Sequence, residues 1–209
     1  MNASDTLTGS PGDHPEFDRP PADPLRLLQD WIAAAFARGV PEPTAASLAT
    51  VGLDGAPSAR FVALKQVTAH GVVFATSAAS PKGREMSADR RVALSWYWPQ
   101  TLQQVRIEGR VRVLGDDESD RLFEARPRAA RAAAIISHQS APLASEDELL
   151  ARVRALADSD EDLRRPAQWC GWLVTPARVE FWLGSRDRLH RRLVYTREAG
   201  EWAVARLQP

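Results

Sequence analysis

Residues 46–65, Ala-Ser-Leu-Ala-Thr-Val-Gly-Leu-Asp-Gly-Ala-Pro-Ser-Ala-Arg-Phe-Val-Ala-Leu-Lys, decide how this chain is expected to fold. Two β-prone stretches, Ala46–Val51 and Ala59–Lys65, flank Asp54-Gly55, a pair that tolerates the positive φ of a tight hairpin turn, so the segment reads as strand, turn, strand. The same alternation continues at Val72–Ser77, Val92–Trp98 and Val105–Leu114. Between the third and fourth strands, Ser80-Pro81 is an N-cap followed by proline at the first helical position, which opens a short helix through about Ala88. Upstream, Leu25, Leu28, Trp31, Ile32 and Ala35 recur at helical spacing after Asp23-Pro24, until Gly39 and Pro41 stop the pattern. Downstream, Asp116–Ser137 reads as helical, with Asp116, Asp117 and Glu118 favourable at its start, and Leu149–Leu156 as a further helix. The chain then alternates again at Gly171–Val174, Val179–Leu183, Leu193–Thr196 and Trp202–Leu207. Strand-rich halves around a helical middle predict an α+β architecture, a closed antiparallel barrel with helices packed outside it.

Composition narrows the function classes. The 209 residues, 44% hydrophobic and 26% charged, suffice for one globular domain with a sizeable core. Lys+Arg and Asp+Glu are both 27, so no global field favours nucleic acid or an anionic membrane, and any anion site is local. A single cysteine, Cys170, leaves no internal disulfide framework and suits a reducing cytoplasm; beside Trp169 and Gly171 it reads as a small buried side chain. No secretory signal and no long apolar span is present, so a soluble cytoplasmic protein is expected. Residues 1–23, rich in Pro, Gly, Ser and Asp, read as a mobile arm ahead of a single domain at 24–209. His14, His70 and His138 show no metal spacing, and no metal site is expected.

The local anion signal lies at the ends of the early strands. Arg60 and Lys65 flank one strand, and Thr76, Ser77, Ser80 and Lys82 run from the next strand into a helix start, where charged donors and exposed backbone N–H groups can meet a phosphate. Each residue alone has a plain structural explanation, a solvated surface charge for the cations and a helix cap for Ser80. The tryptophans Trp31, Trp169, Trp172 and Trp202 read as core or subunit contact, while Trp96 and Trp98 share one strand face that lines either a cleft or a subunit contact.

The C-terminal run Val179-Glu180-Phe181-Trp182, then Arg188-Leu189-His190-Arg191-Arg192, Tyr195 and Arg206-Leu207-Gln208-Pro209, closely resembles the ending of pyridoxamine 5'-phosphate oxidases. The resemblance continues through Arg60-Phe61-Val62-Ala63-Leu64-Lys65, Phe74-Ala75-Thr76, Ser80-Pro81-Lys82, Gln104, Arg126-Pro127-Arg128 and Gln139-Ser140, covering roughly Asp23 to Pro209. It implies an antiparallel split β-barrel with flanking helices, assembled as an interlocked homodimer with FMN at the subunit interface, and an oxidase that passes electrons from a small-molecule substrate to dioxygen. Position by position it implies FMN contacts at Arg60, Phe61, Val62, Lys65, Ala75, Thr76, Ser80, Lys82, Gln104, Gln139, Ser140, Trp182 and Arg192. Arg188 and His190 are implied on the substrate side of the flavin as the catalytic pair, with Lys65 and Arg126 as further substrate contacts. Two matched positions depart from the pattern: Ala75 stands where a tyrosine is usual, and Pro81 where an arginine is usual.

The substrate half departs further. Of the four positions that hold the substrate phosphate in the vitamin-producing oxidases, Lys65 and Arg126 keep their charge, whereas Leu122 and Ala130 replace a tyrosine and a serine. Two lost hydrogen bonds to a charged group, each worth roughly 1.5–3 kcal/mol, weaken phosphate recognition by orders of magnitude. The Lys82-Gly83-Arg84-Glu85 run, Tyr97-Trp98 with Gln103-Gln104, and Ser185–Arg192 resemble instead the branch of phenazine biosynthesis, although Lys65 is unusual there. Three expectations follow, in order: an FMN oxidase of a reduced phenazine carboxylate, a pyridoxine or pyridoxamine 5'-phosphate oxidase, and a flavin-binding barrel without catalysis.

Overall fold

The computed structural model describes residues 7–209. The Asp54-Gly55 turn closes the expected hairpin: Gly55 takes φ +84°, and strands β1 (Ala45–Val51) and β2 (Pro57–Thr68) pair antiparallel with Leu48 opposite Arg60. Strands β3 (Gly71–Ser77), β4 (Arg91–Trp98), β5 (Gln103–Val113) and β6 (Trp169–Leu183) extend this sheet in the order β3-β2-β1-β4-β5-β6, and β3 pairs back onto β6 to close a six-stranded antiparallel barrel. Strands β7 (Arg191–Glu198) and β8 (Glu201–Leu207) continue from the far half of β6. Burial alternates along β1 and β4, as one core-facing side requires, and places Leu48, Leu94, Trp96 and Trp98 inside with Phe74, Ile107 and Trp172. Trp96 and Trp98 thus belong to the core.

Helix α1 (Pro24–Ala37) lays Leu25, Leu28, Trp31 and Ala35 on the barrel; the Asp23 carboxylate accepts from the Leu25 N–H at 2.8 Å, and Trp31 meets Phe181 edge-on at 5.0 Å. Helix α2 (Pro81–Ala88) follows β3 directly. The stretch expected as one helix over Asp116–Ser137 is two, α3 (Asp116–Glu124) and α4 (Arg128–Ile136), because Pro127 disfavours helical backbone at the residue before it and, with ψ 145°, is itself the non-helical N-cap of the second helix. Helix α5 (Glu146–Asp158) packs beside α4. Among the described residues, no helix is long and apolar enough to cross a membrane.

The two strands expected at Gly171–Val174 and Val179–Leu183 are one continuous strand, β6. Pro176 reads as a break in the sequence because it cannot donate to a ladder. Here the register shifts at Glu108/Gly109, Ala177 is left over, and the proline sits at that bulge. The bulge also needs Gly109, since a Cβ there would stand 2.3 Å from the Thr175 carbonyl oxygen.

Of the arm expected at residues 1–23, residues 1–6 lie outside those described, and residues 7–23 are laid along the body. Phe17 is 1% exposed under the Arg191 guanidinium, Asp18 pairs with Arg191 at 2.7 Å, Glu16 accepts from the Trp31 indole N–H at 2.6 Å, and the Tyr195 hydroxyl donates to the Pro21 carbonyl at 2.9 Å. If this segment is a fixed part of the fold, Phe17→Ala lowers the unfolding free energy by about 3 kcal/mol in urea titration, the usual cost of emptying a buried phenylalanine site. An unchanged midpoint shows that the segment is dispensable to stability.

Candidate functional site

The end of β3 and the start of α2 form one compact unit. The Ser80 hydroxyl accepts from the Gly83 N–H at 3.3 Å and donates to the Ser77 carbonyl at 2.7 Å. A Cβ on Gly83 would stand 2.4 Å from the Ser77 oxygen, so only glycine lets the first helical turn rest on the strand end. This turn carries Lys82 inward. Its side chain is almost buried, the residue being 8% exposed, and Nζ lies 3.3 Å from the Thr76 hydroxyl and 3.5 Å from that of Ser80. Thr76 in turn donates to Gln139 Oε1 at 3.2 Å.

No carboxylate pairs with Lys82 among the described residues. Burial holds its pKa below the ordinary lysine value, and the nearby Arg60 charge lowers it further. Arg60 itself is engaged: it donates to Glu85 at 2.7 Å, to the Ser58 hydroxyl at 2.7 Å and to the Thr50 hydroxyl at 2.5 Å. The Thr50 hydroxyl bond, followed by Arg60, holds the Glu85 carboxyl below its usual range. Two cations against one carboxylate leave one net positive charge at the start of α2. A buried ammonium without a counter-ion is costly, and an anion supplied from outside offsets that cost.

Space for such an anion is present. A cavity of about 550 Å³ opens beside this unit, lined by Ala75, Thr76, Arg84, Arg126, Gln139 and Trp169 among others. Ser140 also lines it and has φ +68°, a left-handed backbone that serine rarely adopts. Ala75 adds no polar group, and Pro81 adds no charge. Arg126 stands over the Trp169 ring at 5.2 Å, and one terminal nitrogen, Nη1, is buried with no acceptor.

A second group of expected residues sits elsewhere. Gln104, Trp182 and Arg192 occupy one cross-strand row over β5, β6 and β7. Arg192 donates from Nε to Glu180 at 2.8 Å and from Nη1 to the Gln208 carbonyl at 3.2 Å. The His190 ring lies 4.7 Å from that of Trp182, and its Nδ1 accepts from the Ser185 N–H at 3.0 Å. In the neutral imidazole the proton is therefore assigned to Nε2, which remains able to donate. Arg188 closes the Ser185–Arg188 turn with φ +68° and is exposed.

Phe61, Val62 and Lys65 lie on β2, beside β3, and none of them lines the cavity. Phe61 is 76% exposed, and its row across the sheet continues through Ser47 and Ser95, both small. The chain therefore brings together Thr76, Ser80, Lys82 and Gln139, with Ser140 and Arg126 beside them, and separately Gln104, Trp182, His190 and Arg192. Cys170 opposes Thr76 on β3, whereas Trp182 lies twelve residues further along β6, about 40 Å of extended strand. None of Gln104, Trp182, His190 or Arg192 lines the cavity.

Three participants escaped the sequence reading. Glu180 is 2% exposed and bonds Arg178 and Arg192; its signal was a lone charge in the apolar run Val179–Trp182. Glu85, partner of Arg60, enters the sequence reading only as the last residue of the Lys82–Glu85 run, with no role. Trp169 looked like core and carries Arg126.

Residues 32–183 match the family model described as pyridoxamine 5'-phosphate oxidase, and residues 169–209 match that of the pyridoxine 5'-phosphate oxidase C-terminal dimerisation region. The chain is 45% identical over 191 residues to a pyridoxine/pyridoxamine 5'-phosphate oxidase of Burkholderia ambifaria, covering 90% of this chain and 89% of that protein. The enzyme of the same name from Thermosynechococcus vestitus is 45% identical over 188 residues, again 90% and 89% of the two chains. Among solved structures, PhzG from Burkholderia lata 383, in complex with tetrahydrophenazine-1-carboxylic acid, superposes with a TM-score of 0.92 at 37% identity, covering 96% of this chain and all of that one.

Removing the buried charge separates its two effects. Lys82→Met leaves the ligand-free protein at least as resistant to urea as the wild type, because no ion pair is broken, while phosphate-bearing ligands lose affinity. In the wild type that affinity falls with rising pH before the ordinary lysine range near 10.4 is reached, since only the protonated amine attracts the anion. Titration of FMN against pH checks both; a pH-independent affinity contradicts the assignment.

Proposed function

The chain belongs to the pyridoxamine 5'-phosphate oxidase family, whose members are FMN-dependent oxidoreductases, and from that premise we propose that it oxidises a reduced, carboxylated phenazine precursor with dioxygen. The observation that carries the substrate reading is the anion pocket around Arg126. Leu122 is packed toward Gly171 and Leu114 and offers no hydroxyl, and Ala130 likewise offers none. The cavity wall adds Ala133 and Ala134. The same cavity also holds Arg84 and the polar Thr76, Gln139 and Ser140, which face the proposed cofactor side; Arg126, with no hydroxyl at Leu122 or Ala130 to help it, suits the single charge of an aromatic carboxylate better than a phosphate dianion. The likeness to a protein solved with a tetrahydrophenazine carboxylic acid supports the same substrate class.

The residues present fit FMN. The unpaired Lys82 ammonium, the Thr76 and Ser80 hydroxyls and the start of α2 would hold its phosphate, with Gln139 and Ser140 beside them. Gln104, Trp182 and Arg192 would border its ring. Because these two groups stand so far apart along β6, a complete site takes one group from each of two chains. A homodimer is supported by the match to the dimerisation region and by the exposed Phe61, which stands beside the small Ser47 and Ser95.

Bound FMN supplies the redox chemistry, accepting two electrons from the substrate and returning them to dioxygen, which leaves as hydrogen peroxide with the two protons released. The protein orients and polarises. Arg126 anchors the carboxylate, His190 offers Nε2–H toward the substrate, and Arg188 contributes a guanidinium from the same turn. Glu180 fixes the Arg192 guanidinium on that row, where its N–H groups would offer hydrogen bonds to the flavin ring. A single cysteine and an even charge balance agree with a cytoplasmic setting without nucleic-acid or membrane partners.

The second reading is pyridoxine or pyridoxamine 5'-phosphate oxidation, favoured by the names of the relatives at 45% identity and by the retained Lys65. An oxygen-electrode assay with reduced phenazine carboxylate, pyridoxine 5'-phosphate and pyridoxamine 5'-phosphate separates the two. We expect turnover of the tricycle and, in Arg188→Ala, a fall in kcat/KM of at least about tenfold with FMN content unchanged, as for the loss of one charge-assisted contact. Turnover of the two vitamers in the usual range of about 1 per second or faster, with none of the tricycle, contradicts the substrate assignment.

A further inference from the structure

Arg126 differs from Arg60 and Arg192, because an aromatic ring, not a carboxylate, holds it. Arg60 is neutralised by Glu85 and Arg192 by Glu180. Among the described residues Arg126 has no ion pair within 4.0 Å; it is partly buried, that burial lowers its pKa, and its Nη1 is buried without an acceptor. What it has is the Trp169 ring at 5.2 Å. A π face attracts a guanidinium without cancelling its charge. A carboxylate in the same place would also fix the side chain but would leave little charge for a ligand.

Trp169 is itself held on several sides. It is 8% exposed and meets the Phe123 ring edge-on at 5.2 Å. Its backbone N–H donates to the Pro166 carbonyl at 2.9 Å, and its backbone carbonyl accepts from Arg165 at 2.9 Å. The Arg165 side chain, almost buried, is clamped between Asp116 at 2.6 Å and Asp120 at 2.5 Å on α3. Trp169 also opposes Ser77 at the end of β3, next to the Thr76–Lys82 unit. The ring is thus fixed relative to both the barrel and α3 before any ligand arrives.

We propose that Trp169 is a positioning residue that presents Arg126, still charged, to the anionic group of the substrate and so sets selectivity for anionic over uncharged ring systems. The inference rests on the reading of the cavity as the substrate pocket. Trp169 acts through the guanidinium, and its ring need not touch the substrate.

The test uses FMN-loaded protein titrated with phenazine-1-carboxylate and with uncharged phenazine, followed by the change in flavin absorbance. Trp169→Leu weakens carboxylate binding by about tenfold, the range expected for losing a desolvated cation–π contact, and changes phenazine binding less than about twofold. Trp169→Phe, which keeps a π face and guards against loss of folding, costs no more than about threefold by the same scale. In an Arg126→Met background, Trp169→Leu has no further effect on the carboxylate. Equal losses for both ligands, or an undiminished loss in the Arg126→Met background, overturn the proposal. If the wild type binds pyridoxal 5'-phosphate and not the phenazine carboxylate, the substrate reading fails, and Trp169 is then judged by the same variants with pyridoxal 5'-phosphate against pyridoxal. A wild type that binds neither anion overturns both.

Discussion

Strand β6 is the constraint on which the remaining structure depends. Its first half pairs with β3 and closes the barrel; its middle runs along β5; its second half leaves the barrel and carries β7 and β8. One end of this strand therefore stands beside Thr76 and the cavity, and the other bears Trp182 and Glu180. The bulge at Glu108/Gly109 is what permits a single strand to do both, by absorbing Pro176 and bending the ladder without ending it. The geometry of a β-strand thus keeps the Thr76–Lys82 unit and the row of Gln104, Trp182 and Arg192 apart within a chain, and if both hold FMN, as proposed, dimerisation is a condition of having a site.

Electrostatics follows the same division. At the cavity, Lys82 and Arg126 are left without carboxylate partners and are partly withdrawn from water, so each favours an incoming anion. At the other end, the buried Glu180 accepts from Arg178 and Arg192, and Arg106 approaches it at 3.8 Å. There the cations are fixed in place by the protein itself. The first arrangement recruits charged ligands; the second sets the field around whatever lies on the row of Gln104, Trp182 and Arg192.

Much of this was legible in the sequence. Period-two alternation and the Asp-Gly turn gave the early strands, and Ser80-Pro81 gave the helix start, because these depend on local backbone preferences. The errors came where tertiary context overrides local signals: Gly171–Val174 and Val179–Leu183 read as two strands although a bulge joins them through Pro176, and Asp116–Ser137 read as one helix although Pro127 divides it. Site residues were recognisable only through several linked motifs, since Lys82 or Gln139 alone resembles any surface residue. The partners that give them their properties were hidden. Glu85, Glu180 and Trp169 matter because of long-range contacts to Arg60, Arg192 and Arg126, which no spacing along the chain encodes.

The proposed site requires that its two halves come from different chains. Subunit complementation measures this directly: Lys82→Met and Arg192→Gln chains, each nearly unable to retain FMN as homodimers, are given different tags and isolated as a mixed dimer. Assembly across chains places both substitutions in one site and leaves the other intact, so the mixed dimer binds one FMN per two chains with wild-type affinity. If the site is built within a single chain, each site carries a defect and the mixed dimer retains no more FMN than either homodimer, which contradicts the account.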